Sequence, residues 1–381
     1  MANPGEGVGI TPRVSAGTLA KWVRQVHNEA VQYVIILPVL MKRGAFRTVD
    51  GGGEIRWPFR AQMFDLVGEI DNAPRAHPRH MREKNANLPW AAYQMLNACT
   101  RRERSQNGGE AAIVKIFADM ADQMRESFAQ KFNGQIYGNG DSPTASIPEP
   151  VHGFETFCED MAISADTDPV ALTVTASYGG KSCAYDSFKP GATSADDEYG
   201  AWSARGINCN VHDDAGQNVD WADNAIEYIR LGLQKTCYGR AKGMRTDFVV
   251  LEQGSWTDLC NLLDDKERVQ LSGSQMAAAY GFDPTDEIKI DGALVTWDHS
   301  IPQYDSHGTP KRIRGYGMNT SKIELLMLPM DGGVRPKGSI AAFYEEVDVH
   351  QRVLWELASY PQLKVESPRH VFCLKEYSAA A

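Results

Sequence analysis

Two short clusters carry the residue types that hold metals. His77 and His80 stand three apart in the stretch 72–89, and His212-Asp213-Asp214 is followed closely by Asn218 and Asp220. A zinc site needs three or four converging ligands, and no Asp, Glu or Cys cluster joins the two histidines, so a solvated loop is the simpler reading. The second cluster lacks the alternating Asp spacing and closing Glu of a calcium loop and reads as an acidic turn. The chain has no Gly-x-x-x-x-Gly-Lys phosphate loop, no Gly-x-Gly-x-x-Gly after a strand, no His-Glu-x-x-His and no Gly-x-Ser-x-Gly elbow. Met318, Met327 and Met330 suit packing, as does the Trp90–Tyr93 pair against a base-stacking platform. Nothing in these residues asks for catalysis, a cofactor or a metal.

Composition narrows the classes further. The 381 residues are 43% hydrophobic and 23% charged, enough to bury a sizeable core in two or three domains. The longest apolar run, 34–41, is interrupted by Pro38 and is far short of the ~20 residues of a bilayer span. Residues 1–13 lack the basic start and apolar core of a signal peptide. The seven cysteines are odd in number, scattered, and form no Cys-x-x-Cys pair, which reads as reduced thiols in a cytoplasm.

Charge is unevenly placed. Residues 1–107 carry 15 Lys and Arg against 9 Asp and Glu, leaving 24 against 40 for the rest of a chain whose net charge is −10. A basic front third on an acidic body fits contact with nucleic acid, contact with the acidic body of another copy, or ordinary solvated charge. Within this third, a Pro-punctuated tip carries Arg75, His77, Arg79, His80, Arg82 and Lys84.

The elements that must carry this tip are legible in part. Residues 1–17 read as an extended arm, 18–33 as helical, and 34–40 as an apolar, β-branched run. After Gly51-Gly52-Gly53, Ile55, Trp57 and Phe59 alternate with Arg56 and Arg60, the period of a half-buried strand, and Pro58 places that strand at an edge or in a ribbon. Residues 90–104 then return. A two-stranded arm of this kind has too little core to fold alone and needs something to lie on.

It returns to one long amphipathic helix. Ile113, Phe117, Met120, Met124, Phe128 and Phe132 mark one face; Asn107 and Glu110 suit its start and Asn133-Gly134 its stop. Over 109–132 it spans about 36 Å. Beyond it lie a turn-rich exit, a short helix at 154–161 and a weakly periodic, loop-rich insertion at 164–217. A second amphipathic helix follows at 218–236, then a buried strand at 247–251 and a helix from 255 with Ser255 as N-cap. A hairpin turns at Asp291-Gly292, with strands near 322–328 and 339–349. The 351–360 stretch reads as strand or helix, followed by strands near 362–365 and 370–377. The mixture is α+β, without regular β-α-β alternation or repeats.

At the long helix the sequence resembles the major capsid proteins of tailed double-stranded DNA bacteriophages, the Hong Kong 97 fold. The run from Arg101 to Ile113 is similar to the family's approach to its spine helix, and Tyr137-Gly138-Asn139-Gly140 to the turn after it. Phe248 to Leu263, with Trp256 early in the helix, resembles the family's strand-then-helix. Gly292-Ala293-Leu294-Val295 with Ile301-Pro302 resembles its Gly-apolar-Pro segment, and Val353 to Tyr377 its closing strands. Residues 164–217 match poorly.

The resemblance implies an N-terminal arm (1–48), an extended β-ribbon loop (49–106), and a peripheral domain (107–163 and 346–381) on a spine helix at 109–133. It further implies an axial domain (218–345), with 164–217 inserted before it. It implies a non-enzymatic, self-assembling subunit of pentamers and hexamers in an icosahedral virion shell around double-stranded DNA, without sequence-specific contact or membrane. A nanocompartment shell of the same fold is the nearest alternative; an uncharacterised cytosolic enzyme and a basic-arm nucleic-acid binder stand outside it. Portal, separate scaffolding protein and cement or decoration protein are the implied partners, and the host cytoplasm the place of assembly. Arg75, Arg79, Arg82 and Lys84, with Trp57, are the expected inter-subunit contacts. Lys84 is the only Lys of the loop, and no matching Asn and Glu partners can be placed, so covalent cross-linking is not expected. The apolar stripe of the spine helix is expected to pack within its own subunit, against the strands around 353–372.

Overall fold

The computed structural model describes residues 35–60, 83–99, 124, 127–128, 130–158, 161–163, 172–174, 177–183, 202, 204–209, 211–212, 218–237, 245–265, 288–304, 312–329, 342–347 and 353–376. The arm before residue 35, the tip at 61–82 and the first part of the spine helix lie outside them.

The body is a six-stranded mixed sheet in the order Ile288–Ile290, Ala293–Trp297, Phe248–Leu251, Arg312–Met318, Val371–Glu376 and Arg205–Asn208. Its central strands are apolar on both faces, because both faces are covered. Val249, Leu251, Val295, Phe372 and Leu374 point to one core, shared with Trp221, Ala225, Ile229 and Leu259 of the helices Trp221–Lys235 and Gln253–Asp265. Phe248, Val250, Leu294, Tyr316, Met318, Val371 and Cys373 point to the other core, shared with the spine helix and the ribbon. The hairpin between the first two strands turns where expected, with Asp291 and Gly292 both at positive φ.

Two smaller sheets complete the frame. Phe46–Thr48 pairs in parallel with Ile323–Met327, which pairs with Pro361–Val365. Val353–Ser359 lies between Ala342–Val347 and Tyr93–Cys99, so the ambiguous 351–360 stretch is a strand. The ribbon is Glu54–Arg60 against Glu83–Pro89, with Ile55, Trp57 and Phe59 on its buried face and Arg56 and Pro58 outside. Its return strand starts at Glu83, earlier than residue 90, because the polar alternation of Asn85, Ala86, Asn87 and Leu88 hides only two apolar side chains.

Several local readings are corrected. The 34–40 run is a short helix, Ile36–Lys42, whose Ile36, Leu37, Val39 and Leu40 are buried, so the end of the expected arm is part of the body. Arg43 anchors it to Asp247 at 2.7 Å. The short helix after the exit stops at Cys158, and Met161 begins a strand. Helix 253–265 is capped by Glu252, which accepts the Gly254 and Ser255 N–H at 2.9 and 3.0 Å; Ser255 is inside the helix. Burial opposes ionisation of Glu252, but these hydrogen bonds hold its carboxyl below the usual range. The spine helix passes the expected stop at Asn133-Gly134 and continues to residue 137. The final strand is hydrogen-bonded inside the six-stranded sheet, and Arg205–Asn208 is that sheet's edge.

Close approach explains one glycine. A Cβ at Gly317 would overlap the ring of Phe372, which lies across the sheet register from it and also blocks Gly232. Gly317→Ala is expected to lower stability by about 1–3 kcal/mol through overpacking, measured as a fall in the urea midpoint with unchanged slope.

Candidate functional site

The last turn of the spine helix meets the body at one buried carboxylate. Asp298, 2% exposed, follows the strand Ala293–Trp297 and tethers its own loop by accepting the Ser300 N–H at 2.9 Å. The Asn133 amide donates to both Asp298 oxygens at 3.1 Å and to Ser300 Oγ at 2.6 Å. Tyr137, one turn further, donates its hydroxyl to Asp298 Oδ2 at 2.9 Å. Burial, then the Asp298 charge, push the Tyr137 hydroxyl well above its ordinary range, so it stays a donor. Side chains four apart share a helix face, which is why Asn133 acts here as a strut rather than as a cap.

The described end of the apolar stripe packs inside its own chain. Met124, Phe128 and Phe132 are buried in the same core as Trp355, Leu357, Leu363 and Val365. Phe132 meets Tyr93 edge-on at 5.9 Å, and the strand of Tyr93 pairs with Val353–Ser359. Ile113, Phe117 and Met120 lie outside the described residues.

A second buried polar group joins the short helix Phe154–Cys158 to the sheet. Lys375 is fully buried, donates to Glu155 and gives a second hydrogen bond to the Cys158 carbonyl at 2.9 Å. Tyr316 donates to the other Glu155 oxygen at 2.7 Å. Burial first, and Glu155 second, hold the Tyr316 hydroxyl far above its usual range. An ion pair of this kind is stable inside only because every charge has hydrogen-bonding company. Both groups are sealed beneath aromatic rings: Phe154 stacks on Tyr316 at 5.6 Å and Tyr137 on Tyr316 at 6.0 Å. Their polar capacity is spent on joining elements.

The expected contact residues divide. Arg75, Arg79 and Arg82 lie outside the described residues, as do His77 and His80. Lys84 is on the ribbon's return strand, its backbone opposite Phe59. Trp57 is 5% exposed and is engaged by its own chain: its indole N–H donates to the Glu366 carbonyl at 3.1 Å, and Lys364 Nζ lies 5.7 Å over its ring. These contacts are all within its own chain. Of the acidic turn, His212 and Asn218 sit in a small antiparallel pairing, Val211–His212 with Asn218–Val219. Among the described residues no group of three His, Cys, Asp or Glu is placed to hold a metal, and no helix is long and apolar enough to cross a membrane. A cavity of about 490 Å³ lies beside helix 221–235, lined by Asn224, Glu227, Arg230, Gln234 and Leu262 among others.

Sequence reasoning missed Asp298, Glu155 and Lys375. The partners of Asp298, Asn133 and Tyr137, stand at i, i+4, but Asn133-Gly134 suits a helix stop equally well by residue type.

No family model and no curated protein matches the chain. Solved structures do. A chain in the capsid asymmetric unit of cyanophage A-1(L) is 13% identical, with 91% of this chain and 94% of that one covered at a TM-score of 0.55. One from the capsid of the native GTA particle is 10% identical over 90% and 91%, at 0.53, and one from the empty particle 11% identical over 88% and 96%, at 0.50. This chain has the fold of those capsid subunits almost from end to end.

Two measurements check the site. Asp298→Ala strands the Tyr137 hydroxyl and the Asn133 amide in the interior and is expected to cost about 2–4 kcal/mol in urea unfolding, with Asp298→Asn costing less. His370, buried at the turn into the final strand, is held down to about 4, first by burial and then by Arg369, with Glu366 pulling the other way and Lys322 adding least. Because its folded value is depressed, the unfolded chain takes up the proton first. Its contribution is therefore complete above pH ~6.5 and is lost as pH falls towards ~4, on the order of 3 kcal/mol. His152, held down by burial against the opposing pull of Asp141, acts in the same direction. His370→Gln should flatten the loss of stability between these pH values.

Proposed function

We infer from this fold, the Hong Kong 97 fold of phage capsid subunits, that the chain is a structural shell protein. Copies assemble into pentamers and hexamers of an icosahedral shell around double-stranded DNA, in a virion put together in a bacterial cytoplasm. The observation that carries this reading is the shared fold over about nine-tenths of both chains. The buried polar groups support it, since each joins one element of the subunit to another. A separate scaffolding protein, a portal and a decoration protein are the partners that such a shell would take.

The loop tip is the proposed inter-subunit contact. Arg75, Arg79, Arg82 and Lys84 are basic, and residues 108–381 carry 24 Lys and Arg against 40 Asp and Glu. Complementary charge of this kind sets register and partner choice more than raw affinity.

Negative-stain microscopy of the purified chain, alone and co-expressed with a scaffolding protein, tests the reading. Closed shells or capsomer rings are expected; a stable monodisperse monomer under both conditions would sink it, and shells filled with an enzyme instead of DNA would point to a nanocompartment. The variant Arg79→Glu with Arg82→Glu should lose most of its assembled fraction on a sucrose gradient while keeping the wild-type urea midpoint. Assembly at wild-type yield would refute the contact.

A further inference from the structure

The insertion that the sequence presented as loop-rich and poorly matched reaches under the ribbon. Ser177–Tyr178 and Lys181–Ser182 form a tight hairpin, and Tyr178 and Trp202 are fully buried. Trp202 stacks on Phe59 of the ribbon at 3.9 Å between ring centres and lies 6.2 Å from Trp57; Tyr178 lies 6.1 Å from Trp57. The two insertion residues are tied to each other, since the Trp202 indole N–H donates to the Tyr178 carbonyl at 3.1 Å. They are tied to the body as well. The Tyr178 hydroxyl donates to the Leu363 carbonyl at 3.2 Å and accepts the Val365 N–H at 2.8 Å.

Backbone contact closes the arrangement on the other ribbon strand. The Asn87 N–H donates to the Gly179 carbonyl at 3.0 Å. Gly179 and Gly180 form the hairpin turn at φ +62 and +67, and a Cβ would fall 2.9 Å from Ala86 Cβ at the first and 2.5 Å from Asn87 Oδ1 at the second. Only glycine takes this conformation this close to the ribbon at little cost.

The same rings continue inward. Phe157 meets Tyr178 at 5.1 Å and Phe154 at 6.0 Å; Phe154 stacks on Tyr316, and Tyr316 on Tyr137 of the spine helix. A continuous row of aromatic side chains thus runs from the end of the spine helix to the base of the ribbon.

We propose that the hairpin at 177–182, together with Trp202, is a clamp that fixes the direction of the ribbon relative to the spine helix. Strands Glu54–Arg60 and Glu83–Pro89 then behave as a rigid extension of the body. The clamp acts within a single chain, so it holds whether or not copies form a shell.

Hydrogen exchange read by mass spectrometry on the full chain tests this. Trp202→Ala and, separately, Gly180→Val should each speed exchange in peptides covering 54–60 and 83–89 by about tenfold or more, the scale of losing one aromatic stack or a fitted turn. Peptides covering 248–251 and 371–376 should stay protected, and Trp202→Phe should restore much of the ribbon's protection. Loss confined to the ribbon in either variant supports the clamp. Unchanged ribbon protection in both overturns it. So does loss of protection across the whole chain in both, because the cluster would then be common core and not a local hold on the ribbon.

Discussion

Asp298 is the constraint on which the arrangement of this molecule depends. A carboxylate out of water is costly unless its lone pairs are filled, and here they are filled by two side chains from the last turn of the spine helix and by its own loop. The helix therefore cannot rotate or slide without leaving the charge exposed to an apolar core. That joint sets where the beam meets the six-stranded sheet. Everything carried on the beam, including the sheet of Tyr93–Cys99, takes its position from it.

Two other devices extend the joint. The Lys375–Glu155 pair, with Tyr316, fastens the short helix after the spine to two central strands of the sheet. The aromatic row then conveys the position of that helix to the ribbon base. Polar joints give direction, because hydrogen bonds tolerate little misalignment; the rings supply most of the buried area. The combination holds the projecting parts in defined directions without a core in each part.

How much of this was readable in the chain varied with the kind of signal. The ribbon strand of Ile55, Trp57 and Phe59, the hairpin at Asp291-Gly292, the strand of Phe248–Leu251 and helix 221–235 all show through period or turn chemistry, and all stand where expected. Ile36–Lys42 did not, because a short β-branched run with a proline suits a strand locally, and it is a helix with four of its side chains buried. Ser255 suits a cap by its type, yet the helix starts earlier, and Glu252 takes the N–H groups of Gly254 and Ser255 from outside it. Tyr178 and Trp202 sit among Gly, Ser and Asp with no period, and their partners are more than a hundred residues away in the ribbon.

The sequence by itself determined the α+β class, the amphipathic beam, the half-buried ribbon, the basic tip, and the resemblance to capsid subunits that the shared fold bears out. These follow from local spacing, because period and turn residues act over a few positions. Tertiary structure alone decided that Asn133 is a strut and not a stop, that Trp57 faces inward, that the final strand belongs to the six-stranded sheet, and that the insertion holds the ribbon. Each of those depends on a partner far away in the chain. A side chain's type says which bonds it can make, but only the folded chain brings the other half within reach.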